Sequence, residues 1–200
     1  MANYTEWVDS QAPALKLLKK LGWQYLSPKQ AEQERGGILS NVILDKVLEE
    51  QLHKINDFEY KNQLYKFSQS NIQSAINALK NIPDEGIVRT NEKVYDLLTL
   101  GKSFTESIQG DQKAFTLRYI DWKNFDNNVF HYTDEYVIEG AKNTRRPDLV
   151  LFVNGIPFVV IENKRRDKNE SLEEAISQHI RNQRKDQGAP RIFHYAQLLM

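Results

Sequence analysis

Two apolar runs, Leu149–Val153 and Ile156–Ile161, separated only by Asn154-Gly155, constrain the fold of this chain more than any other feature. Each has the length of a strand, and neither alternates with polar residues. Both faces of each strand must therefore be covered, which places the pair at the centre of a sheet. Asn-Gly between two such runs is a strong hairpin signal. The rest of the chain sorts around this hairpin. Residues 12–21, 40–55, 57–80 and 94–98 carry helical spacing, and residues 27–37, ending in Gly36-Gly37, read as a loop. Residues 114–122 alternate as a strand does, and 129–138 are rich in β-branched and aromatic residues. Helical spacing returns at 171–185, and 192–200 read as a last strand. The expected class is α/β, one unit over 1–200, mainly helical to about residue 110, with a mixed sheet between helices from about 111 to 200.

The hairpin is flanked by charge. Asp148 precedes the first run, while Glu162 and Lys164 follow the second. A carboxylate at the mouth of a buried strand is unfavourable unless it is paired or binds a cation. Two carboxylates meeting there repel each other, and a magnesium ion relieves that repulsion with oxygen ligands: Asp148, Glu162 and a backbone carbonyl such as that of Asn163. Such an ion polarises a phosphate and acidifies a bound water. Lys164, two residues beyond Glu162, shares its strand face and is placed to orient that water and neutralise developing charge. The bland alternative, carboxylates that merely end two strands and pair with Lys164 or Arg146, has equal weight on spacing alone.

Strand parity decides whether the site can assemble. A two-residue Asn154-Gly155 turn with regular pairing puts Asp148 across from Ile161 and Glu162 on the other face. A three-residue loop, Val153-Asn154-Gly155, with a bulge at Gly155 restores Asp148, Glu162 and Lys164 to one face, and this bulged turn is the expectation.

Charge along the chain fits a phosphate ligand. The 200 residues are neutral overall, yet residues 141–200 hold eleven Lys/Arg against seven Asp/Glu. Arg145, Arg146, Arg165, Arg166 and Arg181 flank the acidic motif and are the candidate phosphate contacts. The chain has no cysteine, no apolar run near the roughly 18 residues of a membrane span and no secretory pattern at its start, so a cytoplasmic setting is expected. The four histidines show no metal-binding pairing and read as surface positions, with His179 nearest the motif.

The stretch Arg-Pro-Asp-Leu-Val-Leu-Phe-Val-Asn-Gly-Ile-Pro-Phe-Val-Val-Ile-Glu-Asn-Lys at 146–164 resembles the nuclease motif of type I restriction enzyme R subunits, of the PD-(D/E)xK superfamily. Lys20-Leu21-Gly22-Trp23-Gln24-Tyr25, Tyr119-Ile120-Asp121-Trp122 and Ala175-Ile176-Ser177-Gln178-His179-Ile180-Arg181 extend the resemblance over most of the chain. It implies a restriction-endonuclease-like core behind an N-terminal helical portion, with Asp148, Glu162 and Lys164 catalytic and Mg2+ as cofactor. The resemblance also implies duplex DNA as the partner that the flanking arginines would bind. Gln178 falls where the family has Gln-x-x-x-Tyr, although position 182 here is asparagine. An acidic residue of the first helix, Glu6 or Asp9, is a candidate to complete the site. The resemblance further implies a longer chain with an ATP-driven, helicase-like motor, working with methyltransferase and specificity subunits. No Gly-x-x-x-x-Gly-Lys-Ser/Thr pattern occurs here, so ATP would act only through that motor. The competing readings are a nuclease fold used only for docking and a stand-alone, structure-specific nuclease.

Overall fold

The computed structural model describes residues 11–163, 171–186 and 188–200. Its centre is a five-stranded mixed sheet in the order β1-β6-β9-β10-β11, where β1 is Gln24–Tyr25, β6 is Phe130–Asp134, β9 is Leu149–Val153, β10 is Ile156–Ile161 and β11 is Leu198–Leu199. The two apolar runs are the middle strands, as double-sided burial requires. Every residue of β9 is buried, and β10 is buried or half-buried throughout. β9 pairs antiparallel with both β6 and β10, while the outer strands β1 and β11 run parallel to their neighbours.

Alternation along β9 divides the core in two. Leu149 and Leu151 face helix α1 (Ala12–Lys20) through Leu18, with Tyr132 and Val159 beside them. Val150 and Phe152 face the larger cluster built from α3 (Asp45–Ile55), α4 (Gln69–Lys80), α5 (Ile87–Leu100) and α7 (Arg191–Tyr195). Helices therefore cover both faces of a mixed sheet. Among the described residues no helix is long and apolar enough to cross a membrane.

Several elements differ from the sequence expectation. Residues 27–37 are not a loop throughout: Pro28–Glu34 forms α2, started by a capping box in which the Ser27 hydroxyl accepts from the Gln30 amide and Pro28 occupies the first turn. Residues 57–80 are not one helix. A hairpin of β2 (Asp57–Tyr60) and β3 (Gln63–Lys66) turns at Lys61-Asn62, both with positive φ, before α4 begins at the Ser68 cap. The aromatic side chains explain the strand: Phe58 stacks on Phe115 at 4.1 Å and meets Phe67 at 5.0 Å, a tertiary contact that helical periodicity does not reveal. A second hairpin pairs β4 (Lys102–Ile108) with β5 (Asp111–Leu117), so the first 110 residues, expected to be mainly helical, also contribute four strands. Residues 192–200 divide into α7 and the short β11 instead of forming one strand.

One buried cation ties the loops together. Arg35, 2% exposed, donates to the carbonyls of Leu39, Asn41 and Val137 and lies 4.4 Å over the Tyr136 ring. Backbone carbonyls and a ring face replace its hydration shell.

The central hairpin has a tight turn after all. Val153 pairs with Ile156, and Asn154 and Gly155 both have positive φ, the pattern of a two-residue type I′ turn. The bulge expected at Gly155 is absent there. Asn154 is fully buried, its amide donating to the Tyr119 carbonyl and its oxygen accepting from the Val129 amide. Gly155 sits against α3, where Leu44 N–H donates to its carbonyl at 2.8 Å and an added Cβ would lie 2.6 Å from the Leu44 carbonyl oxygen. Gly155→Ala should therefore destabilise the fold by about 2 kcal/mol or more, from left-handed φ and the clash together. A fall in the urea midpoint checks it, and an unchanged midpoint would contradict the packing described.

Candidate active site

The bulge lies inside β10. Pro157 still pairs with Phe152, but Val159 pairs with Leu151, leaving Phe158 as the extra residue. Proline has no N–H to give to the ladder, so the position after it is a natural place for pairing to slip. From there the register runs Val160 to Val150 and Ile161 to Leu149. One step further sets Asp148 across from Glu162, on the face that carries Val150 and Val160. The expectation of a bulge at the turn is thus corrected in position, while the two carboxylates do share a face.

Each carboxylate is oriented by hydrogen bonds. The Asn163 backbone N–H donates to Asp148 Oδ2 at 2.6 Å, and the Asp148 carbonyl accepts from the Glu135 N–H at 3.0 Å. Asp148 is half-buried, whereas Glu162 is 4% exposed. Helix α6 (Ser171–Asn182) lies over Glu162: Gln178 Nε2 donates to Oε2 at 2.6 Å and Asn182 Nδ2 to Oε1 at 3.3 Å. Gln178 and Asn182 are one helical turn apart, so a single helix face supplies both donors. Asn182 is the residue that sequence reasoning did not assign. Its signal was present, as an amide four residues after Gln178, but only the fold shows that it reaches Glu162. The loop after α6 fixes it in turn, since Ala189 N–H donates to the Asn182 carbonyl and a Cβ on Gly188 would lie 1.9 Å from that oxygen.

The other candidates divide. Arg146 is exposed and pairs with Glu135 at 3.4 Å, a solvent-screened contact. Arg145, half-buried in β8 (Thr144–Arg145), donates to the Thr144 carbonyl, and Arg181 projects from α6 to solvent. Lys164, Arg165, Arg166, Glu6 and Asp9 lie outside the described residues.

The donor set suits a hard divalent cation. It offers two carboxylates at the ends of adjacent strands and the Asn163 carbonyl. The Asn163 side-chain amide, buried with its residue, has no hydrogen-bond partner among the described residues. No group of three His, Asp or Glu assembles among the described residues, so water or phosphate oxygens would complete a coordination shell there.

Two of the histidines expected at the surface are buried, His131 at 8% and His179 at 7% exposure. His179 Nε2 lies 3.1 Å from the Met200 carbonyl oxygen, and its ring meets Phe193 edge-on. Burial holds His131 below the ordinary histidine pKa. Unfolding then takes up a proton once the pH drops under about 6.5, so stability falls from there down to the folded-state pKa. Thermal melts between pH 7.5 and 5 should show this fall, and His131→Asn should lessen it, with His194, also lowered by burial, keeping the remainder; an equal slope in both proteins would exclude His131 as a source.

The chain matches the family model described as the type I restriction enzyme R protein N terminus over residues 3–200. It is 38% identical over 183 residues to a putative type I restriction enzyme MjaVIIIP endonuclease subunit of Methanocaldococcus jannaschii, covering 90% of this chain and 16% of that protein. It is 29% identical over 161 residues to the type I restriction enzyme HindI endonuclease subunit of Haemophilus influenzae, covering 78% and 14%. With helices on both faces of a mixed sheet and paired carboxylates at one strand end, this chain belongs to the family of type I restriction enzyme R protein N-terminal regions. It spans about a sixth of the length of these relatives.

Proposed function

We propose that this chain is the Mg2+-dependent endonuclease domain of a type I restriction enzyme R subunit, with a PD-(D/E)xK core, hydrolysing phosphodiester bonds of duplex DNA. The supporting observation is the Phe158 bulge, which sets Asp148 opposite Glu162 while α6 holds Glu162 from behind. In this reading residues 1–200 act as one unit. Asp148, Glu162 and the Asn163 carbonyl hold the cation. Bound there, magnesium would supply Lewis-acid polarisation of the scissile phosphate and a lowered pKa for a coordinated water.

The protein groups do the positioning. Gln178 and Asn182 fix both oxygens of Glu162, and the Asn163 N–H fixes one of Asp148, so the carboxylates need little rearrangement as charge develops. Lys164 is assigned the orientation of the attacking water and the neutralisation of the phosphorane. Arg145, Arg146, Arg165, Arg166 and Arg181 are assigned to DNA phosphates on either side. A motor in the remainder of a longer chain would move DNA with ATP, alongside methyltransferase and specificity subunits in the cytoplasm.

The test uses the assembled complex. Asp148→Asn, Glu162→Gln and Lys164→Ala should each lower DNA cutting by at least about a hundredfold, the scale set by losing one positioned electrostatic group. ATP hydrolysis should stay within about twofold. Cutting that survives Glu162→Gln, or that proceeds unchanged in excess chelator, would overturn the assignment.

A further inference from the structure

At the sheet edge, on the face opposite the carboxylates, lies an aromatic groove of about 390 Å³ lined by Leu15, Lys19, Trp23, Gln24, Tyr25 and Tyr132. Its rings are held in place. Tyr25 meets Tyr132 at 5.4 Å and 50°, and Trp23 meets Phe130 at 5.2 Å and 56°. The Tyr25 hydroxyl donates to Asp134 Oδ1 at 2.7 Å, which pins the ring while leaving the residue 48% exposed. Burial of the phenol and then its hydrogen bond to Asp134 push the Tyr25 pKa up to about 12, so the hydroxyl remains a donor at any ordinary pH. One wall is α1, which carries Lys16, Lys19 and Lys20, all exposed and in no ion pair with a described residue. The floor is β1, an edge strand that pairs only with β6 among the described residues.

We propose that this groove is a nucleotide subsite. It stacks an unpaired base on Tyr25 and Trp23 and draws the strand's phosphates to the α1 lysines. The proposal rests on the endonuclease reading for the identity of the strand as DNA. Three features select this occupant. A π-face open to solvent accepts any base, but only a base released from its own stack can present its face. Exposed lysines beside the rings match the phosphates of such a strand, whereas a strictly apolar partner would offer them no counter-charge. Register supplies the third. Tyr25 pairs with Tyr132, Tyr132 with Leu151, and Asp148 lies three residues before Leu151. Two strand spacings across and three residues along amount to roughly 14 Å. A strand crossing the end of the sheet would therefore place one nucleotide in the groove and a phosphate only a few nucleotides away at Asp148 and Glu162.

The experiment uses the full-length subunit and oligonucleotides carrying a photoreactive halogenated uracil in an unpaired flap. Irradiation should give adducts at Trp23 or Tyr25. Tyr25→Ala should weaken flap binding roughly tenfold, within the range of one base–aromatic stack, and Lys19→Glu should weaken it and reduce its salt dependence. Tyr25→Phe, which keeps the ring, should bind within about twofold of the parent, and an unchanged melting temperature of Tyr25→Ala separates its loss from one of folding. Cutting is read in the assembled complex from the same preparations, with Asp148→Ala as the reference. Adducts in Asp148→Ala without cutting support the subsite and the nuclease reading together. Adducts with cutting that survives Asp148→Ala keep the subsite and remove the nuclease assignment. Normal cutting by the parent with no adduct at either ring and unchanged binding in Tyr25→Ala overturns the subsite alone. A peptide or protein that protects the groove in place of the flap also overturns it.

Discussion

The slip of one residue after Pro157 is the constraint on which the site depends. A two-residue turn followed by regular pairing would send Asp148 and Glu162 to opposite faces of the sheet. Phe158 absorbs the mismatch, and every pair beyond it is shifted by one. The strand remains apolar on both sides of the slip, so the bulge is not paid for by exposing core. Phe158 is half-buried, and its carbonyl accepts from the Gln197 N–H at 2.8 Å on the way into β11. The same short stretch thus bends the ladder on one side and anchors the next strand on the other.

Below the bulge the hairpin cannot move to compensate. Its turn is buried between α3 and the segment leading to β6, with Asn154 answering three backbone groups: the Tyr119 carbonyl, the Val129 N–H and the Val129 carbonyl. A buried turn so completely bonded fixes the start of both strands. With one end locked and one residue inserted, the positions of Asp148 and Glu162 follow from counting. Register is an all-or-none property, because a further slip would reverse every core contact of Val150, Phe152 and Val160.

How much of this was legible in the sequence varies with the range of the interaction that decides each element. The hairpin and its central place could be read from apolar runs, which are local, and parity showed only that a bulge is needed for the carboxylates to share a face. The position of the bulge could not be read from turn chemistry, although Pro157 was the available clue, because a proline within a run also fits an edge strand. The β2–β3 hairpin was missed because residues 57–80 read as one helical stretch, and only the contacts of Phe58 with Phe67 and Phe115 select the strand. The α2 helix was missed for a different reason. Ser27-Pro28-Lys29-Gln30 carries a full start signal, but the polar residues that follow present almost no apolar face, and only Ala31 is buried.

The asymmetry of the two carboxylates bears on what the site can bind. Glu162 is buried and Asp148 is half-buried, so Glu162 has more hydration to replace. Gln178 and Asn182 replace part of it with neutral amide donors. A guanidinium at either position would also have satisfied the oxygens, but it would have cancelled the charge that attracts a cation. Amides orient the carboxylate without neutralising it, and the Asn163 N–H does the same for Asp148. Arg146, already engaged with Glu135, lies exposed nearby and is screened by water. A site organised in this way holds its acidic groups in a fixed arrangement and leaves the exposed arginines at its margin to move in solvent. The division follows from burial: a charge removed from water must be oriented by fixed donors, whereas a charge left in water is solvated in any orientation.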